Sequence, residues 1–234
     1  MLEIKNLSAG YGILTILHDM NFVVNDGEFV ALVGQNGAGK TTTLRALSGL
    51  IKPKSGEIIF NGTHLETMQA HKIAQMGISY VTDDGSLFSG MTVMQNIKLG
   101  AYNIKDKEKI NKRIEYVFDM FPRLLERKAQ YAETLSGGER RMLSIARSLM
   151  GFPSLMLVDE PSLGLAPNLV EQVFETLKML SEEGITIFLV EQNVNTTLKI
   201  VDRAYVMDLG AIVKEGPAEA IRTDPEIMEA YLGM

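Results

Sequence analysis

Apolar positions change period along the chain. From Leu2 to Leu7 they alternate, the pattern of a half-buried strand. Residues 21–25 form a second short β-like run, which stops at the turn signal Asp26-Gly27. Phe29 to Val33 is an unbroken apolar run, which predicts a strand covered on both faces, and a Gly-rich loop follows it. Residues 41–50 predict a helix closed by Gly49 and Pro53, and 57–60 a strand before a turn at Asn61-Gly62. Between about 88 and 150 the period becomes helical, as at Ile110, Ile114, Val117, Phe118 and Phe121. Sheet then resumes. Residues 155–158 and 185–190 predict buried strands on either side of a helix over 169–180. Residues 204–207 and 211–213 flank a turn at Leu209-Gly210, and a helical tail closes the chain. The expected layout is one domain over 1–234. An α/β core occupies about 1–85 and 151–234, and a helical subdomain is inserted at about 86–150.

Composition narrows the class. The 234 residues are 46% hydrophobic and 22% charged, enough apolar material for a sizeable core. Net charge is −6 with no long basic run, so nucleic acid is not an expected partner. Cysteine is absent, which excludes disulfides and thiolate metal sites. His18, His64 and His71 lack metal-ligand spacing. The first residues lack the basic and apolar segments of a secretion signal, and no apolar stretch is long enough to span a bilayer. These features predict a cytoplasmic chain that can dock on a membrane protein.

Gly34-Gln35-Asn36-Gly37-Ala38-Gly39-Lys40-Thr41 fits the phosphate-loop pattern GxxxxGK[ST] in full, with a strand before it and a helix after. Glycines let the backbone curl so that N–H groups face phosphate oxygens, and the helix N-terminus adds partial positive charge. Lys40 is expected to reach the β and γ phosphates. The Thr41 hydroxyl is expected on Mg²⁺ and Thr42 on the α phosphate. Further along, residues 155–158 run straight into Asp159 and Glu160. Adjacent acids closing a buried strand point to a cation or a reaction nearby. Asp159 is the expected Mg²⁺ carboxylate, and Glu160 the general base that polarises water.

Leu135-Ser136-Gly137-Gly138-Glu139-Arg140 opens an amphipathic helix carrying Met142, Ile145, Ala146 and Leu149 on one side. Phosphate loop, this run and the acidic pair, in that order, resemble the motif set of ATP-binding cassette (ABC) ATPases over essentially the whole chain. The resemblance implies a P-loop NTPase core with an antiparallel β subdomain and an inserted α-helical subdomain. It implies Mg-ATP hydrolysis by a head-to-tail dimer with a second ABC ATPase subunit, in which Ser136, Gly137 and Gly138 contact the partner's ATP. It also implies permease subunits in the membrane, a periplasmic or extracellular solute-binding protein reached indirectly, and a peripheral place on the cytoplasmic face. Tyr11, before Gly12, matches the family's adenine-stacking position.

Three positions depart from the common family pattern. Asp83, in Thr82-Asp83-Asp84-Gly85, stands where a Mg²⁺-linked Gln is usual; a carboxylate can still ligate the ion. Gln192, in Val190-Glu191-Gln192-Asn193, replaces the switch His and can donate to the γ phosphate without carrying a proton. Ala166 replaces an interface Asp in Pro161-Ser162-Leu163-Gly164-Leu165-Ala166-Pro167. The last two runs, with Gly10-Tyr11-Gly12, Gly100-Ala101-Tyr102 and Phe121-Pro122-Arg123-Leu124, are similar to the ATP-binding subunits of branched-chain amino acid importers, although that branch usually has Pro-Glu-Gly-Arg at 82–85. The alternatives are an importer ATPase for another solute, or a soluble ABC-type switch acting on a non-membrane partner. A small-molecule kinase would share the phosphate loop but leave 135–140 unexplained.

Overall fold

The computed structural model describes residues 1–232. The first part of the chain forms β1 (Leu2–Tyr11), β2 (Leu14–Val24), β3 (Phe29–Val33), α1 (Lys40–Leu47), β4 (Ser55–Phe60), β5 (Thr63–His64), α2 (Ala70–Gln75) and β6 (Ile78–Val81). Helices α3 (Val93–Gly100), α4 (Lys107–Met120), α5 (Pro122–Glu126) and α6 (Gly137–Leu149) follow. The remainder holds β7 (Leu155–Asp159), α7 (Pro167–Glu182), β8 (Thr186–Glu191), α8 (Val194–Thr197), β9 (Arg203–Asp208), β10 (Ala211–Pro217), α9 (Ala218–Arg222) and α10 (Pro225–Leu232).

Two sheets divide the strands. One is antiparallel, in the order β2-β1-β4-β5. The other has the order β10-β9-β3-β8-β7-β6 and is parallel except for β10 at its edge. The apolar runs account for this. Every residue of β3, β7 and β8 is buried, as strands covered on both faces require. Along β3 the side chains alternate between two cores. Phe29, Ala31 and Val33 pack with α3, α6 and α7, whereas Val30 and Leu32 pack with α1 and the antiparallel sheet. In β1 the register shifts between Ile4 and Leu7, with Asn6 at φ 48°. The bulge brings Leu7 and Ala9 back to the face that buries Leu2 and Ile4.

Some boundaries differ from the sequence expectation. β2 begins at Leu14, well before residue 21, because its first residues lie at the exposed edge and carry no burial signal. Helix α1 stops at Leu47, and Gly49 at φ 74° turns the chain. Short β5 and α2 have too few apolar positions to show a period. Among the described residues no named strand lies between Val81 and Leu155, and no helix is long and apolar enough to cross a membrane.

Candidate functional site

The phosphate loop leaves the buried end of β3 and enters α1. Its glycines are needed for different reasons. A Cβ on Gly34 would collide with the Met207 carbonyl oxygen on β9, while Gly37 and Gly39 sit at φ 83° and 113°. The first bond of the helix runs from Thr43 N to the Gly39 carbonyl at 2.9 Å. The N–H groups of Lys40, Thr41 and Thr42 therefore precede the helical ladder, at the positive end of the helix. Lys40 is only 4% exposed. Its ammonium donates to the Gly34 carbonyl at 2.9 Å and the Gln35 carbonyl at 3.2 Å, and lies 3.5 Å from Glu160 Oε1. The curled backbone and buried cation form a cradle suited to phosphate oxygens.

The two expected acids stand beside it. Asp159 is fully buried; the Thr41 hydroxyl donates to Oδ1 at 3.1 Å and the Tyr80 hydroxyl to Oδ2 at 2.7 Å. Burial pushes the Asp159 carboxyl above its ordinary range, and the Tyr80 and Thr41 bonds only partly offset this. Burial and the Asp159 charge raise Tyr80 far above the usual phenol value, so it stays a donor. Thr41 and Asp159 present hard oxygen donors side by side, a set that fits magnesium. Among the described residues no group of three His, Asp or Glu side chains gathers into a metal cluster. A cation here would complete its shell from phosphate, water or a neighbouring carboxylate. Glu160 takes φ 39°, a conformation uncommon for a side-chain-bearing residue, and donates its N–H to the Val190 carbonyl at 2.9 Å.

Asp83 lies in an exposed loop after β6 and is near enough for its charge to raise the Asp159 carboxyl further. Helix α6 fixes that loop. Arg141 donates to the carbonyls of Thr82 at 2.9 Å and Asp83 at 2.5 Å, Ser144 to Gly85 at 2.9 Å, and Arg147 to Ser86 at 2.8 Å and Gly85 at 3.1 Å. These residues lie at spacing i, i+3, i+6 along one helix face. Sequence reading missed this latch. The arginines could have been noticed on α6, but nothing local points them at a loop some sixty residues away.

Ser136 caps α6 in a reciprocal box. Its hydroxyl accepts from Glu139 N at 3.3 Å, and Glu139 accepts from Ser136 N at 2.9 Å. Ser136 and Gly137 are exposed, and among the described residues no hydrogen bond joins 136–138 to the phosphate loop. Gly138 is buried, where a Cβ would press on Leu169. Tyr11 ends β1 half exposed, its hydroxyl accepting from Arg45 of α1 at 3.2 Å. Gln192 is exposed after β8, and Ala166 caps α7 with no side-chain hydrogen bond. Lys40, Thr41, Asp159 and Glu160 thus meet directly in one subunit, whereas Ser136 and Gly137 are exposed and make no hydrogen bond to them among the described residues.

The ABC transporter family model matches residues 17–163. A high-affinity branched-chain amino acid transport ATP-binding protein of Pseudomonas aeruginosa, BraG, is 44% identical, with all of both chains covered. An ATP-binding cassette of an ABC transporter solved in its ADP conformation superposes with a TM-score of 0.89 at 26% identity, covering 100% of this chain and 99% of that one. A dimeric cassette in a post-hydrolysis state, bound to ADP and Pi, gives 0.82 at 25% identity over 93% of this chain and 99% of its own. With a complete phosphate loop set against Asp159 and Glu160, these matches establish that the chain belongs to the ABC transporter family, as an ATP-hydrolysing subunit.

Proposed function

We propose that this subunit powers solute import, and that the solute is a branched-chain amino acid. The observation that carries the reading is full-length identity of 44% to BraG, together with the converged Lys40, Thr41, Asp159 and Glu160. Two subunits pair head to tail, and Ser136, Gly137 and Gly138 of each meet the γ phosphate bound by the other. The outward exposure of Ser136 and Gly137 supports this arrangement.

Within each site Tyr11 stacks on adenine, while the loop N–H groups from Gly34 to Thr42 and the Lys40 ammonium hold the phosphates. Thr41, Asp159 and Asp83 would hold Mg²⁺, which when bound neutralises charge on the phosphoryl oxygens. Glu160 takes a proton from the attacking water, and Gln192 donates to the γ phosphate. Lys40 and the partner's signature N–H groups stabilise charge on the group in transfer.

A permease docks on the cytoplasmic side of the membrane. A cavity of about 610 Å³ supports that partner; it is lined by residues including Leu50, Ile73, Phe88, Leu99 and Arg147, between α2, α3 and α6. Leu50 and Phe88 stand half exposed at this cavity. Its wall includes Ser86 of the latched loop, so a helix seated there pushes on the segment that α6 holds. The test is reconstitution with permease subunits and a receptor in liposomes. Leucine, isoleucine or valine should raise ATP turnover and accumulate inside. Turnover that ignores all three, but responds to another solute, would reassign the substrate.

A further inference from the structure

Glu191, the last residue of β8, is 1% exposed and has no part in the scheme above. Its carboxylate is nonetheless fully engaged. Oε1 accepts the N–H of Ser162 at 2.9 Å; Oε2 accepts those of Gln192 at 3.0 Å and Asn193 at 3.2 Å. Ser162 lies in the loop that leaves β7 through Glu160, and Gln192 and Asn193 open the loop after β8. The same residue pairs in register with Val33, the last residue of β3 before the phosphate loop. One buried carboxylate therefore stands at the joint of three loops that build the hydrolysis site.

The effect on Glu160 is specific. Its N–H is held by the Val190 carbonyl, and two residues later Ser162 N–H is held by Glu191. The short segment carrying the base is thus tied at both ends to β8, which supports the left-handed backbone of Glu160. Only a carboxylate suits this position. It offers about four lone-pair sites and no donor, whereas a Gln amide would turn an NH₂ toward a backbone N–H. Bonds from N–H to a carboxylate are also about twice as strong as neutral ones. The guanidinium of Arg141, itself buried, lies near enough to interact favourably with the Glu191 charge.

We infer that Glu191 is a positioning residue for ATP hydrolysis: it sets the backbones that aim Glu160 and Gln192, and acts through them. The inference rests on the roles given to those two side chains above and is independent of the solute. It is tested by steady-state ATPase kinetics of the full-length subunit, with melting temperature read in parallel. Glu191→Gln should lower kcat at least tenfold and leave KM for Mg-ATP within about threefold. Glu191→Asp keeps the charge and can still accept from Gln192 and Asn193 across a tight Asx-type turn; it should recover part of the lost kcat. If the Gln variant does not fold, the Asp variant decides alone, with kcat reduced threefold or more at unchanged KM expected. Wild-type kcat in a soluble Gln variant, or in the Asp variant when that one decides alone, or a KM that rises in step with the loss of kcat, overturns the inference. Failure of the underlying scheme looks different: Glu160→Gln itself would turn over ATP normally.

Discussion

Lys40 Nζ and Glu160 Oε1 stand 3.5 Å apart, with Lys40 almost wholly buried, so the cation of the phosphate loop and the strand-end acid form one ion pair. In the proposed scheme Lys40 holds the phosphates and Glu160 takes a proton from the attacking water. Glu160→Gln should therefore lower turnover about 10²–10⁴-fold, the usual contribution of a general base. ATP affinity should stay equal or tighten, because Lys40 loses a competitor for its donors. Turnover assays beside calorimetric titration with Mg-ATP check both halves.

Asp159 gives a pH-dependent signature. Burial raises its carboxyl in the folded protein, so the folded state holds its proton to higher pH than the unfolded chain does. The stability that this proton confers is present below the unfolded value, near 3.9 for Asp, and is lost as pH rises through the folded value. Asp159→Asn should thus raise the melting temperature of nucleotide-free protein, by about 2–4 °C per kcal/mol recovered in a chain of this size. The gain should be larger at pH 8 than at pH 5. Hydrolysis should be lost at both. Scanning calorimetry at the two pH values decides the sign.

Removal of Arg141 leaves the Thr82 and Asp83 carbonyls without their guanidinium donor. Hydrogen bonds to a charged group contribute about 1.5–3 kcal/mol. Arg141→Ala should lower the melting temperature by about 3–12 °C on that basis. Hydrogen exchange should rise in residues 82–86 more than in the phosphate loop. Uniform exchange across both segments would show that α6 does not govern the loop.

Two glycines separate packing from backbone conformation. Gly34→Ala drives a methyl into the Met207 carbonyl and should cost more than the roughly 1–3 kcal/mol typical of overpacking, because backbone cannot yield easily. Gly37→Ala faces open space but keeps φ 83°, and should cost about 1–2 kcal/mol. Urea unfolding of the two variants should rank them in that order.

Much of this was legible from the chain. The phosphate loop and the Asp159-Glu160 pair are local: a buried run of apolar residues ends, and the next residues carry the chemistry. Alternation and continuous apolarity marked several of the strands, while the antiparallel sheet was expected only from the family resemblance. Glu191 was less visible, although it carries the same mark as Asp159, an acid closing a buried run. Its role depends on Ser162, 29 positions away, and emerges only when β7 and β8 lie side by side. The Arg141 latch is hidden for the same reason, because α6 meets the loop after β6 only through the fold.

The β9–β10 hairpin has a consequence for how this machine can move. Gly210 donates to the Ala38 carbonyl at 2.8 Å and accepts from His18 N at 2.8 Å, so one turn stitches the phosphate loop to β2. Any side chain at Gly210 would strike the Ile16 carbonyl. The back of the phosphate loop is thereby sewn into both sheets. A hairpin anchored in this way favours movement at the opposite rim, where the helices meet the strand ends, over movement at this turn.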